Sequence, residues 1–323
     1  MSRLSLATTA AVLVLLFGTA SVLYPGFFSP RVIANLLGDN AALGVAAVGM
    51  TFVILSGGID LSVGAVVAFT STLVATLVEH HGVPPLPAVA LALAIGAAFG
   101  ASMGVLIHRY ELPPFLVTLA GMFFARGMAF VMSLESLGIS HAFYRRAAMF
   151  GLPLGGKATL NAPAMIFLAV FAAGAVLLHV TRFGRDVYAV GGNEPSARLL
   201  GVAVGRTKIA VYALAGACAA LAGVVATLRM GSGNPAQGTG LELDAIACVV
   251  MGGTLLSGGV GSLAGTLTGV LIFGTIQIAL VFDGRLNSWW SRIVVGALLL
   301  IFIVFQKLLS RAATRRAYTK GGE

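Results

Sequence analysis

The chain of 323 residues is 58% hydrophobic and only 10% charged, with a formal net charge of +9. Soluble domains carry roughly a quarter of their residues as charged ones, so this composition excludes that class and points to an integral protein of the lipid bilayer. With about 20 residues per crossing of a hydrocarbon core about 30 Å thick, the chain has room for roughly ten crossings joined by short connections.

Apolar runs predict an all-α polytopic membrane protein, a single transmembrane domain over 1–323, with about ten spans, some of them broken. The first is expected at Ser5–Leu23; it follows Arg3 but is longer than the 7–15 apolar residues usual in a cleavable signal segment, so it is read as retained. The second, Ala41–Leu55, stops at Ser56-Gly57-Gly58, and the third follows at Leu61–Glu79 after Asp60. The fourth, Leu86–Ile107, carries Gly96, Gly100 and Gly104 at four-residue spacing, a face of small residues suited to close helix packing. Phe115–Leu134, holding Arg126, and Pro163–Val180 are the fifth and sixth. A polar island at Thr181–Lys208 interrupts the pattern. Beyond it come Ile209–Leu228, a short eighth span at Asp244–Leu256 ending at Ser257-Gly258-Gly259, then Leu263–Val281 and Trp289–Leu309. Glycine pairs weaken helices, and such breaks within a bilayer are tolerated only against protein or a water-filled cavity. The segments 55–64 and 256–265 echo one another around their Ser-Gly-Gly turns, as duplicated transporter halves do.

Basic residues set the expected orientation. If ten spans start from a cytoplasmic N-terminus, Arg3, Arg109, Arg182, Arg185, Arg198, Arg206, Lys208, Lys307, Arg311, Arg315, Arg316 and Lys320 face inward. A smaller set faces outward: Arg31, Arg145, Arg146, Lys157, Arg229, Arg285 and Arg292. That bias satisfies the positive-inside rule with both termini cytoplasmic, and it accounts for the positive charge without a nucleic-acid partner. No phosphate-binding G-x-x-x-x-G-K-[ST], H-E-x-x-H or G-x-S-x-G motif occurs, and no metal or other cofactor is expected. Cys218 and Cys248 lie in spans without metal-like spacing. His80, His81, His108, His141 and His179 fall near span ends or loops. An enzyme is not expected.

Ionisable groups inside spans are costly unless paired or facing water. Two roles are open to Asp60: lining a translocation path, or capping the third span through the amides of Ser62 or Val63. Arg126 either faces the same path or bonds backbone carbonyls at a helix break. Asn40, Thr51, Phe52, Thr118 and Gln277 complete the set of path candidates, each with a helix-packing alternative. Within the island, Asn193 or Glu194 can cap a short helix, Pro195 suits its first turn, Ala197 and Leu200 share a side, and Gly201 can end it. So short a helix is unstable alone and must pack on the protein's own surface or a partner.

VGMTFVILSGGIDLSVGAVVAF, PPFLVTLAGMFFARG, TRFGRDVYAVGGNEPSARLLGV and GTLLSGGVGSLAGTLTGVLI resemble, in that order, the matching segments of bacterial ribose-type sugar permeases of ATP-binding-cassette importers. The resemblance runs from about Asn35 to Ile301. Within the family, IANLLGDNAALGVAAVGMTFV, GLELDAIACVVMGGTLLSGGVG and the SWW at Ser288 are most similar to the permease of the galactofuranose importer. The resemblance implies a type II importer permease fold in the bacterial inner membrane. The loop 181–208 would be cytoplasmic, with a coupling helix whose residues Asn193, Glu194, Pro195, Ala197, Arg198, Leu199 and Leu200 meet a separate ATPase subunit. It further implies a second permease chain, either distinct or identical, and a periplasmic sugar-binding protein. Two readings of other classes stand beside it. An ion-gradient-driven carrier would use Asp60, Glu242 or Asp244 as ion sites, although the last two fall at an expected external span end. A non-transporting membrane scaffold would have no use for broken spans and buried charge.

Overall fold

In a computed structural model of the chain, residues 2–155, 158–284, 289–290, 292–301 and 304 are described. Lys157, Arg285, Ser288, the tail residues Lys307, Arg311, Arg315, Arg316 and Lys320, and the end of the tenth expected span lie outside them. The elements in order are α1 (Ser2–Leu23), α2 (Pro30–Asp39), α3 (Ala41–Leu55), α4 (Val63–Glu79), α5 (Pro85–Arg109), α6 (Pro114–Met132), β1 (Leu137–Gly138), α7 (Ala142–Met149), β2 (Gly151–Gly155), β3 (Ala158–Asn161), α8 (Ala162–Val180), α9 (Arg182–Gly192), α10 (Glu194–Leu199), α11 (Val204–Met230), β4 (Ser232–Gly233), α12 (Leu241–Met251) and α13 (Leu263–Asp283). A further apolar helix covers Arg292–Ile301. The strands form only two small antiparallel ladders, β1 with β4 and β2 with β3.

Among the described residues, six helices are long and apolar enough to cross a membrane unaided: α1, α5, α6, α8, α11 and α13. α2 and α3 meet at 57° and make a seventh crossing if the bent pair is one span. The remaining expected spans fall on shorter helices: α4 with 17 residues, α12 with 11, and Arg292–Ile301. By length the count among the described residues is thus six or seven; the chain leaves helical geometry at Ser56–Ser62 and Gly252–Ser262, where the sequence places its glycine turns, and the tenth expected span is described only in part. Outside the spans and the polar island, two helices carried no sequence expectation, the amphipathic α2 and the short α7.

The centre of the bundle is α3, every residue of which is buried except Ala42. It is surrounded by α8, α11, α12 and α13. No polar face is left on it, which is why periodicity cannot be read from its sequence. The broadest helix contact is between α5 and α11, and the expected small-residue face makes it. A Cβ at Gly96 would meet Ala220 at 2.5 Å, one at Gly100 would run into the Tyr212 carbonyl, and one at Gly104 would lie 2.8 Å from the Ile209 Cα. The absence of side chains lets the two backbones touch.

The two Ser-Gly-Gly turns also meet. The amide of Gly259 donates to the carbonyl of Leu55 at 2.9 Å, so a break after α12 satisfies a backbone group exposed at the end of α3. The segments that echo in sequence are neighbours in space.

Replacing Gly100 by Val should lower stability by about 1–3 kcal/mol, the usual penalty of overpacking, read as a reduced melting temperature of the detergent-solubilised protein. Gly127→Ala, whose added Cβ meets nothing within 4 Å, should melt like the parent. Equal melting of the two variants would contradict the packing described.

Candidate functional site

The polar island folds as two helices where the sequence suggests one. Thr181 caps α9, its hydroxyl accepting from the Gly184 amide at 3.3 Å. Val187 and Val190 turn inward, while Phe183 stacks on Phe52 of α3 with ring centroids 6.0 Å apart. The spacing of Phe183, Val187 and Val190 is the helical signal that the island's charges and glycines obscure.

α10 has the expected caps. Asn193 Oδ1 accepts from the Ser196 amide at 2.8 Å, and Pro195 sits in the first turn. At the other end Gly201 adopts a left-handed φ of 81°, and the Val202 amide reaches back to the Ala197 carbonyl at 3.0 Å. This closing geometry is the glycine-terminated helix end. One face is anchored: Ala197 is 2% exposed, and Glu194 joins α10 to α11 through Lys208 Nζ at 2.6 Å. Arg198, one turn on, adds a second contact to Glu194 at 3.2 Å. The other face is bare, with Leu199 and Leu200 exposed at 89% and 83%, so Leu200 does not share the side of Ala197 as expected: it follows the last helical turn as the C-cap and points away from the body. A six-residue helix held on one side and apolar on the other is a knob that presents two leucines to whatever lies beyond the protein.

Partial burial works against ionisation of Glu194, but the hydrogen bond and charge of Lys208, followed by Arg198, hold its carboxyl below the ordinary glutamate value. A carboxyl with a depressed folded pKa adds stability that is present above the unfolded value and is lost as pH falls through the folded one.

The polar candidates within the spans divide into two groups. Asp60 is 1% exposed, and its Oδ1 accepts from the Ser62 amide at 2.8 Å and the Ser62 hydroxyl at 2.7 Å. Its Oδ2 is buried without a hydrogen-bond partner. Thr118 of α6 and Tyr212 of α11 both reach the adjacent Ile59 carbonyl, at 3.4 Å and 3.3 Å. Arg126 Nη1 donates to the carbonyls of Pro235 and Gln237, at 2.8 Å and 2.6 Å, in the loop between α11 and α12. Those carbonyls belong to a distant loop and not to a break in its own helix. Glu242 lies within electrostatic reach of both Asp60 and Arg126, and its Oε2 is buried without a partner beside Gly64. The break before α4, the middle of α6 and the start of α12 therefore form one polar cluster.

The others lie elsewhere. Asn40 Nδ2 donates to the Leu36 carbonyl at 2.9 Å in the bend between α2 and α3, packed against Gly274. Thr51 bonds the Ala47 carbonyl at 2.7 Å and the Thr266 hydroxyl at 2.8 Å, tying α3 to α13. Phe52 is fully buried beneath α9, whereas Gln277 is exposed on α13. Sequence reading set Glu242 at an outer span end and passed over Tyr212, although Tyr212 is the lone aromatic residue of α11. That isolation among small apolar residues was the available signal.

Residues 32–303 match the family described as branched-chain amino acid transport system / permease component. The chain is 50% identical over 308 residues to an Escherichia coli (strain K12) protein named inner membrane ABC transporter permease protein YjfF, covering 95% of this chain and 93% of that one. It is 43% identical over 293 residues to the ribose import permease protein RbsC of Bacillus subtilis (strain 168), covering 89% and 88%. Identity to the fructose import permease protein FruG of Bifidobacterium longum (strain NCC 2705) is 38% over 315 residues, covering 95% and 92%. No solved structure matches.

The tie between α10 and α11 should weaken in acid. As pH drops below the ordinary glutamate range, proteolysis within 193–203 should accelerate in the parent protein. In Glu194→Gln it should be faster already at neutral pH and insensitive to acid. Solvent screening limits the effect to about 1 kcal/mol or less. A parent and variant with the same pH profile would show that the ion pair does not hold α10.

Proposed function

Because the chain belongs to the branched-chain amino acid transport system / permease component family and is a ribose-type sugar permease of the ATP-binding-cassette class, we propose that it forms the membrane path of an importer that moves a monosaccharide into the cytoplasm. A separate ATPase subunit supplies the energy. The observation that carries this reading is α10, anchored by Glu194 and Lys208 while Leu199 and Leu200 stand free. Two exposed leucines on a rigid stub match what a cleft in a partner subunit requires, a compact apolar anchor inside a polar rim.

In this reading 181–208 is cytoplasmic and both termini lie on that side. The short helices α3, α4, α12 and Arg292–Ile301 complete ten crossings by packing within the bundle, in a type II importer arrangement. Residues Asn193, Glu194, Pro195, Ala197, Arg198, Leu199 and Leu200 form the ATPase-coupling surface. Closure of two ATPase subunits displaces α10 and switches the permease between outward-facing and inward-facing forms. A sugar-loaded periplasmic binding protein docks on the outer side, and a second permease, related or identical, shares the path. Galactofuranose is the substrate favoured by sequence, through the segments 33–53 and 240–261.

Asp60, Thr118, Arg126 and Glu242 are the polar groups proposed to meet the sugar as it passes, since they converge from three elements. The buried, partnerless oxygens of Asp60 and Glu242 also favour a second reading, a proton- or sodium-driven carrier. Uptake that persists without the ATPase and collapses with the ion gradient would select it.

Leu200→Asp should leave the protein inserted but reduce uptake by about tenfold or more, the scale of losing an interface anchor. The assay is accumulation of labelled ribose, fructose or galactofuranose in proteoliposomes containing the ATPase, whichever the parent takes up. Parental accumulation by the variant would remove α10 from the coupling role.

A further inference from the structure

The turn of α9 that leads into α10 is packed backbone to backbone against both broken spans. A Cβ at Gly191 would run into the Leu55 carbonyl and lie 2.8 Å from the Gly259 amide, the two groups that bond each other across the joint. A Cβ at Gly258 would come within 2.9 Å of the Gly191 carbonyl, and one at Gly259 within 2.6 Å of the Gly192 Cα. Three chain segments, at the end of α3, after α12 and at the end of α9, thus meet with no side chain between them.

Two further contacts fix α9 in this position. One turn before Gly191, the Tyr188 hydroxyl donates to the Gly261 carbonyl at 2.8 Å. Two turns before it, Phe183 stacks on Phe52 of α3. α9 therefore grips α3 and the turn between α12 and α13 simultaneously. Asn193, the cap of α10, follows Gly192 directly.

On the premise that α10 is the docking helix, we propose that Gly191 and Tyr188 are positioning residues that weld α9, and with it the start of α10, to the inner ends of α3 and α12, so that a push on α10 moves both broken spans as one unit. Backbone contact without intervening side chains supports this assignment physically. Flexible side chains absorb displacement by changing rotamer, whereas close-packed backbone transmits it. The geometry also gives the two echoing Ser-Gly-Gly turns a shared task, since one lever then acts on both at the same point. Gly192 is a built-in comparison, because a Cβ there meets nothing within 4 Å although it neighbours Gly191.

The test uses the permease assembled with its ATPase in lipid nanodiscs. Spin labels are placed at Ser196 on α10 and Ser257 in the second turn, both exposed. Their separation is measured without nucleotide and after vanadate trapping. In the parent it should agree between the two states to within about 2 Å, the size of a small helix shift. In Gly191→Val it should differ, with sugar uptake down about tenfold while the ATPase stays bound and hydrolyses ATP. Gly192→Ala should behave as the parent, and Tyr188→Phe, which removes one hydroxyl, should lower uptake without lowering hydrolysis. If Gly191→Val does not insert, the parent distance and Tyr188→Phe decide. Labels that move apart in the parent while the ATPase is bound overturn the weld and leave the coupling role of α10 standing. A parent permease that binds no ATPase, with Leu200→Asp indistinguishable from it, removes the coupling role and the weld together.

Discussion

Backbone amides and carbonyls must find partners inside the protein wherever water is absent, and each unpaired one costs several kcal/mol in hydrocarbon. A bundle of unbroken helices meets this requirement segment by segment. This protein breaks two of its central helices and so must meet it across segments. The Leu55 carbonyl and Gly259 amide do so directly. Because the partner is another backbone, the approach has to be closer than side chains allow, and glycine is the residue that permits it. The burial of α3, the left-handed geometry of Gly57 and Gly258 and the seating of α9 over the joint all follow from that requirement.

The same logic governs the charged groups. Arg126 is satisfied by two loop carbonyls and not by a direct bond to Glu242. A pair of opposite charges removed from water seldom recovers its full desolvation penalty, whereas Arg126 places both hydrogens of Nη1 on carbonyls and so pins the loop. The spare acceptor oxygens of Asp60 and Glu242 are the ones proposed to meet the sugar. Scattered acceptors of this kind suit a path that must release its cargo, because a deep set of matched bonds would retain it.

At the island end, stability and exposure are separated by face. Glu194, Lys208 and Ala197 fix α10 on the body of the protein, and the caps at Asn193 and Gly201 close a helix too short to stand alone. Leu199 and Leu200 contribute nothing to that fixation. Their exposure is a loss for an isolated chain in water and makes sense at a surface covered by another protein. The contrast between an anchored base and a bare apolar tip is the structural core of the functional reading.

Much of this was legible from residues close together in the chain. Hydropathy located the long spans to within a few residues, four-residue glycine spacing identified the face of α5 that meets α11, and cap chemistry placed α10 between Asn193 and Gly201. The ordered motifs carried the family. These signals are local, set by helix period, capping and solvation of a single segment. The amphipathic α9 was hidden because its charges and glycines outweighed a short apolar stripe. Glycine pairs marked where the short second and eighth spans stop, near the ends of α3 and α12, but hydropathy alone does not tell a full-length crossing from a short apolar helix. The meeting of Leu55, Gly191 and Gly259, the capture of Arg126 by Pro235 and Gln237, and the convergence of Glu242 on Asp60 were decided only by the tertiary structure. Each joins segments distant in sequence, and a glycine or carbonyl carries no mark of its partner until packing brings the two backbones into contact.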